Sequence, residues 1–212
     1  MKAILVCVDY ADILDVTLHR NSRFFDQILV VSTPRDTETA KVASRMKHVD
    51  VSLYNTTAFY QDGADFNKGL AIEEGFGVLG RSGWIAVIDA DIVLNLDFLD
   101  LLSKHATDPE KIYGPYRRMC INPKEWNGGY DWSRLPRVND REIAGYCQIF
   151  NASAAALRSK PWYGTSWTHA GGCDSEFQSK WPPSDRVRLP FDVLHLGPHG
   201  RNWHGRVTET VS

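Results

Sequence analysis

The sequence is poor in cysteine and lacks a long apolar run, and these two absences exclude several classes of protein. Its 212 residues include four cysteines, Cys7, Cys120, Cys147 and Cys173, with no Cys-x-x-Cys pair among them. The sequence therefore predicts a reduced, cytoplasmic chain and not a disulfide scaffold. No window approaches the roughly 18 uninterrupted apolar residues of a membrane span.

A signal peptide is not expected either. The apolar run at 2–8 is short, and Asp9 and Asp12 follow it without a small-residue cleavage pattern. We expect this run to be the first strand of a sheet.

A strong excess of charge of one sign is also missing, since the formal net charge is −2. Residues 1–106 carry 10 basic and 15 acidic side chains, whereas residues 107–212 carry 14 basic and 11 acidic ones and are richer in Trp, Gly and Pro. This contrast alone is too weak to indicate a nucleic-acid partner. The length and an apolar content of 43% predict one sizeable globular α/β domain.

The first half alternates strand-like and helix-like segments. The pattern predicts strands at 2–8, 27–32, 51–53 and 84–91, and helices that begin near Asp12, Asp36, Asp65 and Asn95. This order predicts a Rossmann-like, mostly parallel sheet flanked by helices. The second half has long irregular connections and shorter apolar runs at 143–150 and 188–196.

The most informative segment is 84–91, an apolar run that ends in Asp89 and Asp91. Residues two positions apart on a strand point the same way, so the two carboxylates can face one point. They repel each other unless a cation lies between them, which indicates a divalent metal that prefers oxygen ligands. Ligands of open α/β sheets bind beyond the carboxyl ends of the strands, where this pair would lie. The alternative is an ordinary strand followed by an acidic helix start.

Two helix starts carry polar residues that suit a ligand. Asn67 and Lys68 begin the helix before the Asp89 strand, where an anionic or sugar-bearing group would be favoured. Gly171 and Gly172 precede Asp174, so a backbone can approach a ligand closely beside one carboxylate. The alternatives are a solvated first turn and a simple helix cap.

The C-terminal tail concentrates histidine and arginine. His195 follows an apolar run and can complete a metal site begun by carboxylates. Arg201 and Arg206 can hold phosphate oxygens.

Taken in order, these features resemble the metal-dependent glycosyltransferases of the GT-A fold, especially family 2. The order is an N-terminal strand, an Asn-Lys-Gly helix start, an apolar strand ending Asp-Ala-Asp, a Gly-Gly-x-Asp segment and a late strand ending in His. The tail pattern H-L-G-x-x-G-x-N-W-x-G-R resembles that of small phage and bacterial members.

The resemblance implies one GT-A-like domain over 1–212, with a nucleotide-sugar-binding half at 1–106 and an irregular acceptor-binding and catalytic half at 107–212. It implies a divalent Mn²⁺ or Mg²⁺ ion. Asp91 would bind the ion directly, Asp89 would face the ribose or a metal-bound water, and His195, rather than His199, would be the third protein ligand.

The resemblance also implies a donor pocket and a base. The donor, a UDP-sugar in the first place, would contact Val8, Asp9, Tyr10, Ser32, Thr33, Asp36 and Lys68. Asp174 would be the general base of an inverting transfer, although Cys173 stands where the family has Glu. If Asp174 is not the base, a retaining route stays open.

The acceptor would be a glycan or a hydroxymethylated base of phage DNA, modified in the host cytoplasm. Aromatic side chains of the second half could form a stacking platform for a ring, with about half of them buried instead. These are Trp126, Tyr130, Trp132, Trp162, Tyr163 and Trp167.

Three rival interpretations remain at this stage. The chain could be a nucleotide-sugar or glycan-binding module without activity. The Asp-x-Asp segment also resembles that of haloacid-dehalogenase phosphatases, although it lies mid-chain here. A sugar-phosphate nucleotidyltransferase would need a Gly-rich loop after the first strand, where this chain has Asp9-Tyr10-Ala11-Asp12.

Overall fold

A computed structural model describes residues 1–47, 49–138, 143–198 and 200–207, which form a single α/β domain. The strands are β1 (Lys2–Val6), β2 (Gln27–Ser32), β3 (Asp50–Asn55), β4 (Trp84–Asp89), β5 (Ile92–Val93), β6 (Ile112–Cys120), β7 (Arg137–Val138), β8 (Cys147–Asn151) and β9 (Arg186–Leu196). The α-helices are α1 (Ala11–Asn21), α2 (Thr37–Arg45), α3 (Lys68–Leu79), α4 (Phe98–His105) and α5 (Cys173–Gln178).

The strands form one sheet in the order β3-β2-β1-β4-β8-β6-β9-β5, and β7 pairs with β6. The first four strands of this order are parallel. Beyond β4 the sheet is mixed: β8 is antiparallel to both β4 and β6, β6 is parallel to β9, and β5 is antiparallel to β9. The predicted α/β sheet is confirmed; its run of four parallel strands comes from the first half of the chain, and the second half adds one parallel pair, β6 with β9.

Both faces of the sheet are covered, because side chains of successive residues point to opposite faces. On β1, Ala3 and Leu5 belong to the apolar cluster that includes α1, α2 and α4. Ile4 and Val6 belong to the cluster on the other face, which includes α3 and α5. None of the described helices is both long and apolar enough to cross a membrane.

Local patterns located most elements of the first half. Strand β2 has the predicted bounds, and Asp36 caps α2 by accepting a hydrogen bond from the Thr39 N–H at 3.0 Å. The cap of α3 is Asn67 instead of Asp65, and α4 begins after Asp97 instead of Asn95. Helix α3 thus begins at the predicted Asn67-Lys68 segment, two residues after Asp65, and α4 begins two residues after its predicted cap.

The predicted strand 84–91 is divided in the structure. Strand β4 ends at Asp89, and the chain turns through Ala90 and Asp91 into the short β5. The end of β9 lies beside β5, so that Ile92 pairs with His195, and the Leu196 N–H donates to the Asp91 carbonyl oxygen at 2.9 Å. This pairing brings the C-terminal strand to the end of the central one.

Candidate active site

A cleft of about 750 Å³ lies at the carboxyl ends of β1 and β4. This volume is in the range of small-molecule and cofactor sites. Both halves of the chain contribute to its walls. Eight residues predicted for the site line it: Val8, Tyr10, Lys68, Asp89, Asp91, Asp174, His195 and Arg206.

Asp91 and His195 face each other across a short gap. Asp91 Oδ2 lies 3.6 Å from His195 Nε2, and both side chains are mostly buried. His195 Nδ1 is 2.9 Å from the Gly197 carbonyl oxygen, which can only accept, so Nδ1 carries the proton and donates. Nε2 is therefore the ring nitrogen that faces Asp91.

Asp91 is also incompletely satisfied. Its Oδ1 is buried, and no group among the described residues donates to it. Burial raises the pKa of the Asp91 carboxyl above its ordinary value, while the His195 ring opposes that change and Asp89 adds to it. A buried acceptor without a donor costs free energy unless a ligand completes it.

Asp89 has a different partner. The Lys68 ammonium, at the first turn of α3, donates to Asp89 Oδ1 and forms an ion pair with it. Burial disfavours the charged form of Lys68, but the Asp89 carboxylate outweighs it and raises the pKa of the lysine. Lys68 therefore supplies a positive charge beside Asp89.

This arrangement changes the predicted metal site. Over the described part of the chain, no group of three or more His, Cys, Asp or Glu side chains is placed to hold a metal ion. Of the three predicted ligands, Asp89 is ion-paired with Lys68, and Asp91 and His195 face each other. An Asp–His pair with an unsatisfied oxygen and an available imidazole nitrogen still fits a divalent ion whose other ligands come from substrate phosphates.

Asp174 lies in the first turn of α5 and lines the same cleft. The Gly145 N–H donates to its Oδ2 at 2.7 Å. A Cβ on Gly145 would lie 2.6 Å from the Cβ of Asp174, so only glycine permits this approach. The neighbouring Cys173 is buried, and burial raises the pKa of its thiol to about 12, so the thiol is neutral at physiological pH and cannot replace the acidic residue that the glycosyltransferase resemblance implies at this position.

The C-terminal tail folds back along one wall of the cleft. Arg206 pairs with both carboxylate oxygens of Asp12 and donates to the Asp9 carbonyl oxygen at 2.6 Å. Its guanidinium lies 4.4 Å from the centre of the Tyr10 ring, and the Asn202 amide donates to the Tyr10 hydroxyl. The predicted phosphate-binding Arg206 therefore also anchors the tail to the start of α1.

Other predicted donor-binding residues lie outside this cleft. Asn67 is buried, caps α3 and donates to the Thr165 carbonyl oxygen at 2.8 Å. Thr33 is buried after β2, and Arg201 is exposed in the tail. Their local roles as cap or loop residues account for their presence. His199 lies outside the described residues.

Asp9 and Asp36 line a smaller cavity of about 430 Å³ beside the cleft. Asp9 has a left-handed backbone with φ of 60°. Its N–H donates at 2.7 Å to Asp36 Oδ2, which also accepts from the Thr39 hydroxyl at 2.7 Å. These contacts give Asp36 a structural role at the junction of β1 and α2.

The aromatic residues of the cleft differ from those predicted. Trp132, Trp162 and Tyr163 are buried, and none of the six predicted aromatics lines the cleft. Its aromatic walls are instead formed by Tyr10, Phe66, Tyr146, His169 and Trp203. Trp203 is 51% exposed. The sequence did contain a signal that Trp203 is exposed, because this tryptophan lies between Asn202 and His204 in a polar tail and has no adjacent apolar residue.

Comparisons with known proteins agree on the fold. No family model and no curated protein matches the sequence. The inositol-1-phosphate CTP transferase of T. maritima superposes with a TM-score of 0.54 at 9% identity, covering 93% of this chain and 89% of that one. HddC from Yersinia pseudotuberculosis gives 0.53 at 10% identity, covering 92% and 90%.

A third similar structure is the 4-diphosphocytidyl-2C-methyl-D-erythritol synthase of Anaerococcus prevotii. Its TM-score is 0.52 at 14% identity, with 93% of this chain and 89% of that chain covered. Identities this low show a shared fold and nothing about the reaction. The α/β fold implied by the glycosyltransferase resemblance is therefore confirmed, and membership of family 2 stays a prediction.

Proposed function

We propose that this protein is a metal-dependent glycosyltransferase that moves a sugar from a nucleotide-sugar, in the first place a UDP-sugar, to an acceptor hydroxyl. The observation that carries the proposal is the Asp91–His195 pair. Asp91 Oδ1 is buried without a donor among the described residues, its Oδ2 lies 3.6 Å from His195 Nε2, and the pair lines one cleft with Lys68 and Asp174. A divalent ion held by this pair would supply Lewis-acid neutralisation of a diphosphate.

The cleft also supplies protein charge for the leaving group. As the bond between the anomeric carbon and the donor phosphate breaks, its electron pair stays on the phosphate oxygen. The ammonium of Lys68, with its pKa raised by Asp89, keeps its positive charge throughout the physiological range. It is therefore suited to stabilise that developing charge.

Asp174 is the proposed general base. It would take the proton of the acceptor hydroxyl while the hydroxyl oxygen attacks the anomeric carbon from the face opposite the leaving phosphate, giving inversion. Only one of its carboxylate oxygens is held by the Gly145 N–H. The acceptor is a glycan or a hydroxymethylated DNA base in this proposal.

Nucleotidyl transfer is the second candidate, because the inositol-1-phosphate CTP transferase of T. maritima has a similar fold. This reaction transfers the nucleotidyl group of a nucleoside triphosphate to a sugar phosphate with release of pyrophosphate, and it needs a backbone cradle for three phosphates. The segment after β1 contains no glycine, and its Asp9 and Asp12 are acidic. This composition favours the diphosphate donor of a glycosyltransferase.

A donor screen separates the candidates. Thermal unfolding is measured with UDP-, GDP- and CDP-sugars, with and without Mn²⁺, since a ligand that binds the folded state raises its melting temperature. We expect stabilisation by one nucleotide-sugar that requires Mn²⁺ and is lost in Asp91→Ala. Asp100→Ala, an exposed carboxylate on α4, is the matched control.

Product analysis by mass spectrometry completes the test. Release of free sugar or its transfer to a hydroxyl supports the proposal. Formation of a nucleotide-sugar from CTP or UTP and a sugar phosphate would replace it with nucleotidyl transfer. Binding without turnover for every donor and acceptor tried would make the chain a binding module.

A further inference from the structure

The two carboxylates of the Asp-Ala-Asp segment have different partners in the cleft. The Lys68 ammonium forms an ion pair with Asp89 Oδ1, and the lysine side chain is only 12% exposed. Asp91 faces His195 and has a buried oxygen without a donor among the described residues. One carboxylate of the segment is therefore paired with a cation of the protein itself, and the other is open to a ligand.

The backbone that carries Lys68 is firmly held. The neighbouring Asn67 is buried and donates to the Thr165 carbonyl oxygen at 2.8 Å. A Cβ on Gly69 would lie 2.0 Å from the Gly164 carbonyl oxygen, so the first turn of α3 packs directly against that segment. The ammonium can therefore change its partner only by rotation about the bonds of the lysine side chain, which is a flexible stem.

A donor diphosphate in the cleft would offer this ammonium a second anionic partner. Phosphate oxygens accept charge-assisted hydrogen bonds as carboxylates do, and lysine is a common phosphate ligand. A divalent ion that binds substrate phosphates also takes one or two carboxylates from the protein. Both requirements are met if the ammonium of Lys68 moves to a phosphate and Asp89 becomes available to the ion.

We propose that Lys68 excludes divalent ions from Asp89 until a donor phosphate binds its ammonium, an inference that rests on the proposed function of the cleft. Once released, Asp89 joins Asp91 and His195 as a ligand of the ion. Nucleotide and ion then bind cooperatively, and each strengthens the binding of the other by the same factor. If the Lys68–Asp89 pair were purely structural, its removal would weaken the fold without improving the binding of an ion.

Two titrations without any sugar measure the two sides of this competition. Binding of Mn²⁺ to the nucleotide-free protein is followed by electron paramagnetic resonance of the unbound ion, and binding of UDP in EDTA is followed by calorimetry. Lys68→Met has nearly the same length but no charge, and it should strengthen Mn²⁺ binding by at least about tenfold because Asp89 becomes a ligand. The same variant should bind metal-free UDP about tenfold more weakly than wild type, because a phosphate loses its ammonium partner.

A double variant separates a released ligand from a general loss of positive charge. In an Asp89→Asn background, Lys68→Met should change the affinity for Mn²⁺ by at most about threefold, because the carboxylate that it would release is missing. A general electrostatic effect would instead give the same gain in both backgrounds. Lys68→Arg keeps the charge and should bind Mn²⁺ as weakly as wild type does.

The controls are the stability of each variant and a second lysine–carboxylate pair. Urea unfolding checks the fold, and Lys68→Gln, which keeps a hydrogen-bond donor for Asp89, replaces Lys68→Met if that variant does not fold. Lys111→Met removes a lysine that pairs with Asp108 at 3.2 Å and does not line the cleft. It should change neither titration.

Three results would overturn the proposal. They are an affinity for Mn²⁺ that is no higher in Lys68→Met than in wild type, an equal gain in the Asp89→Asn background, and an unchanged affinity for metal-free UDP in Lys68→Met. The proposed function is tested apart from these by the donor screen. If wild type binds neither UDP nor a nucleotide-sugar, the proposed function fails, while a gain in Mn²⁺ affinity that depends on Asp89 would still show that Lys68 excludes ions from this carboxylate.

Discussion

Two buried carboxylates at ends of neighbouring elements differ in how they are satisfied. Asp36 accepts from the Asp9 N–H and from both the N–H and the hydroxyl of Thr39, within 3.0 Å. Asp91 has one oxygen without a donor among the described residues and an imidazole nitrogen 3.6 Å from the other. A fully bonded buried carboxylate stabilises the fold, whereas a half-bonded one is available to a ligand.

The same contrast separates helix-capping residues from the residues that line the cleft. In the first half, the side chains of Asp36 and Asn67 accept the capping hydrogen bonds of α2 and α3. In the second half, Asp174 is held through one oxygen, and Trp203 remains half exposed. The capping residues therefore stabilise the fold, and the carboxylates that are not fully bonded, Asp91 from the first half and Asp174 from the second, line the same cleft.

Replacement of Asp174 should have the largest effect on activity. Asp174→Asn keeps the size of the side chain but cannot accept a proton, so kcat should fall by roughly 10²- to 10⁴-fold. Donor affinity, measured by calorimetry with UDP-sugar and Mn²⁺, should be unchanged. A kcat within about threefold of the wild-type value would show that Asp174 is not the general base.

Asp91→Asn should sharpen the comparison with Asp36. The variant should lose Mn²⁺-dependent donor binding by about 100-fold, as for the loss of a metal ligand or its close support. Without ligand it should be as stable as wild type or more stable by about 1 kcal/mol, because a desolvated carboxylate is removed. Urea unfolding checks stability. A clear loss of stability together with intact donor binding would make Asp91 structural.

Asp36→Ala should show the opposite behaviour. The loss of a helix cap and of the acceptor for the Asp9 N–H should destabilise the protein by about 2 kcal/mol. Donor binding by the folded fraction should be retained. Urea unfolding measures the stability, and calorimetry on the same sample measures donor binding. Loss of donor binding without loss of stability would show that Asp36 binds the donor.

The smallest effect is expected at Asp192 and depends on pH. Burial opposes ionisation of this carboxyl, but hydrogen bonds from Arg137 and Arg118 outweigh it and lower its pKa. A lowered pKa in the folded state means that the ionised group adds stability above its ordinary value of 3.8 and that this contribution is lost as the pH falls below it. Wild type should thus be more stable than Asp192→Asn at pH 6, and the difference should shrink at pH 3.

A stability difference that stays constant between pH 6 and pH 3 would contradict this assignment. Asp185→Asn serves as the control, because Asp185 is a carboxylate in the 3-10 helix Pro183–Asp185, just before β9, and accepts a hydrogen bond from the Ser184 hydroxyl instead of from an arginine. Its effect on unfolding should be small at both pH values.

Local patterns in the sequence were sufficient for most of the first half. The apolar run of β2 gave its bounds, and the Asp36 cap gave the start of α2, because both depend on residues close in sequence. The expectation that about half of the six aromatic residues are buried is confirmed, but which of them are buried and which aromatic residues line the cleft did not follow from the sequence. Trp162 and Tyr163 pack against Phe76 of α3, a contact between segments far apart in the chain.

The sequence by itself determined the alternation of strands and helices, the apolar core and the position of Asp89 and Asp91 at the end of a central strand. Only the tertiary structure decided which carboxylate is neutralised and which stays open. Lys68 reaches Asp89 from α3, and His195 reaches Asp91 through the pairing of β9 with β5. Such contacts depend on the register of distant segments, which apolar periodicity along the chain does not encode.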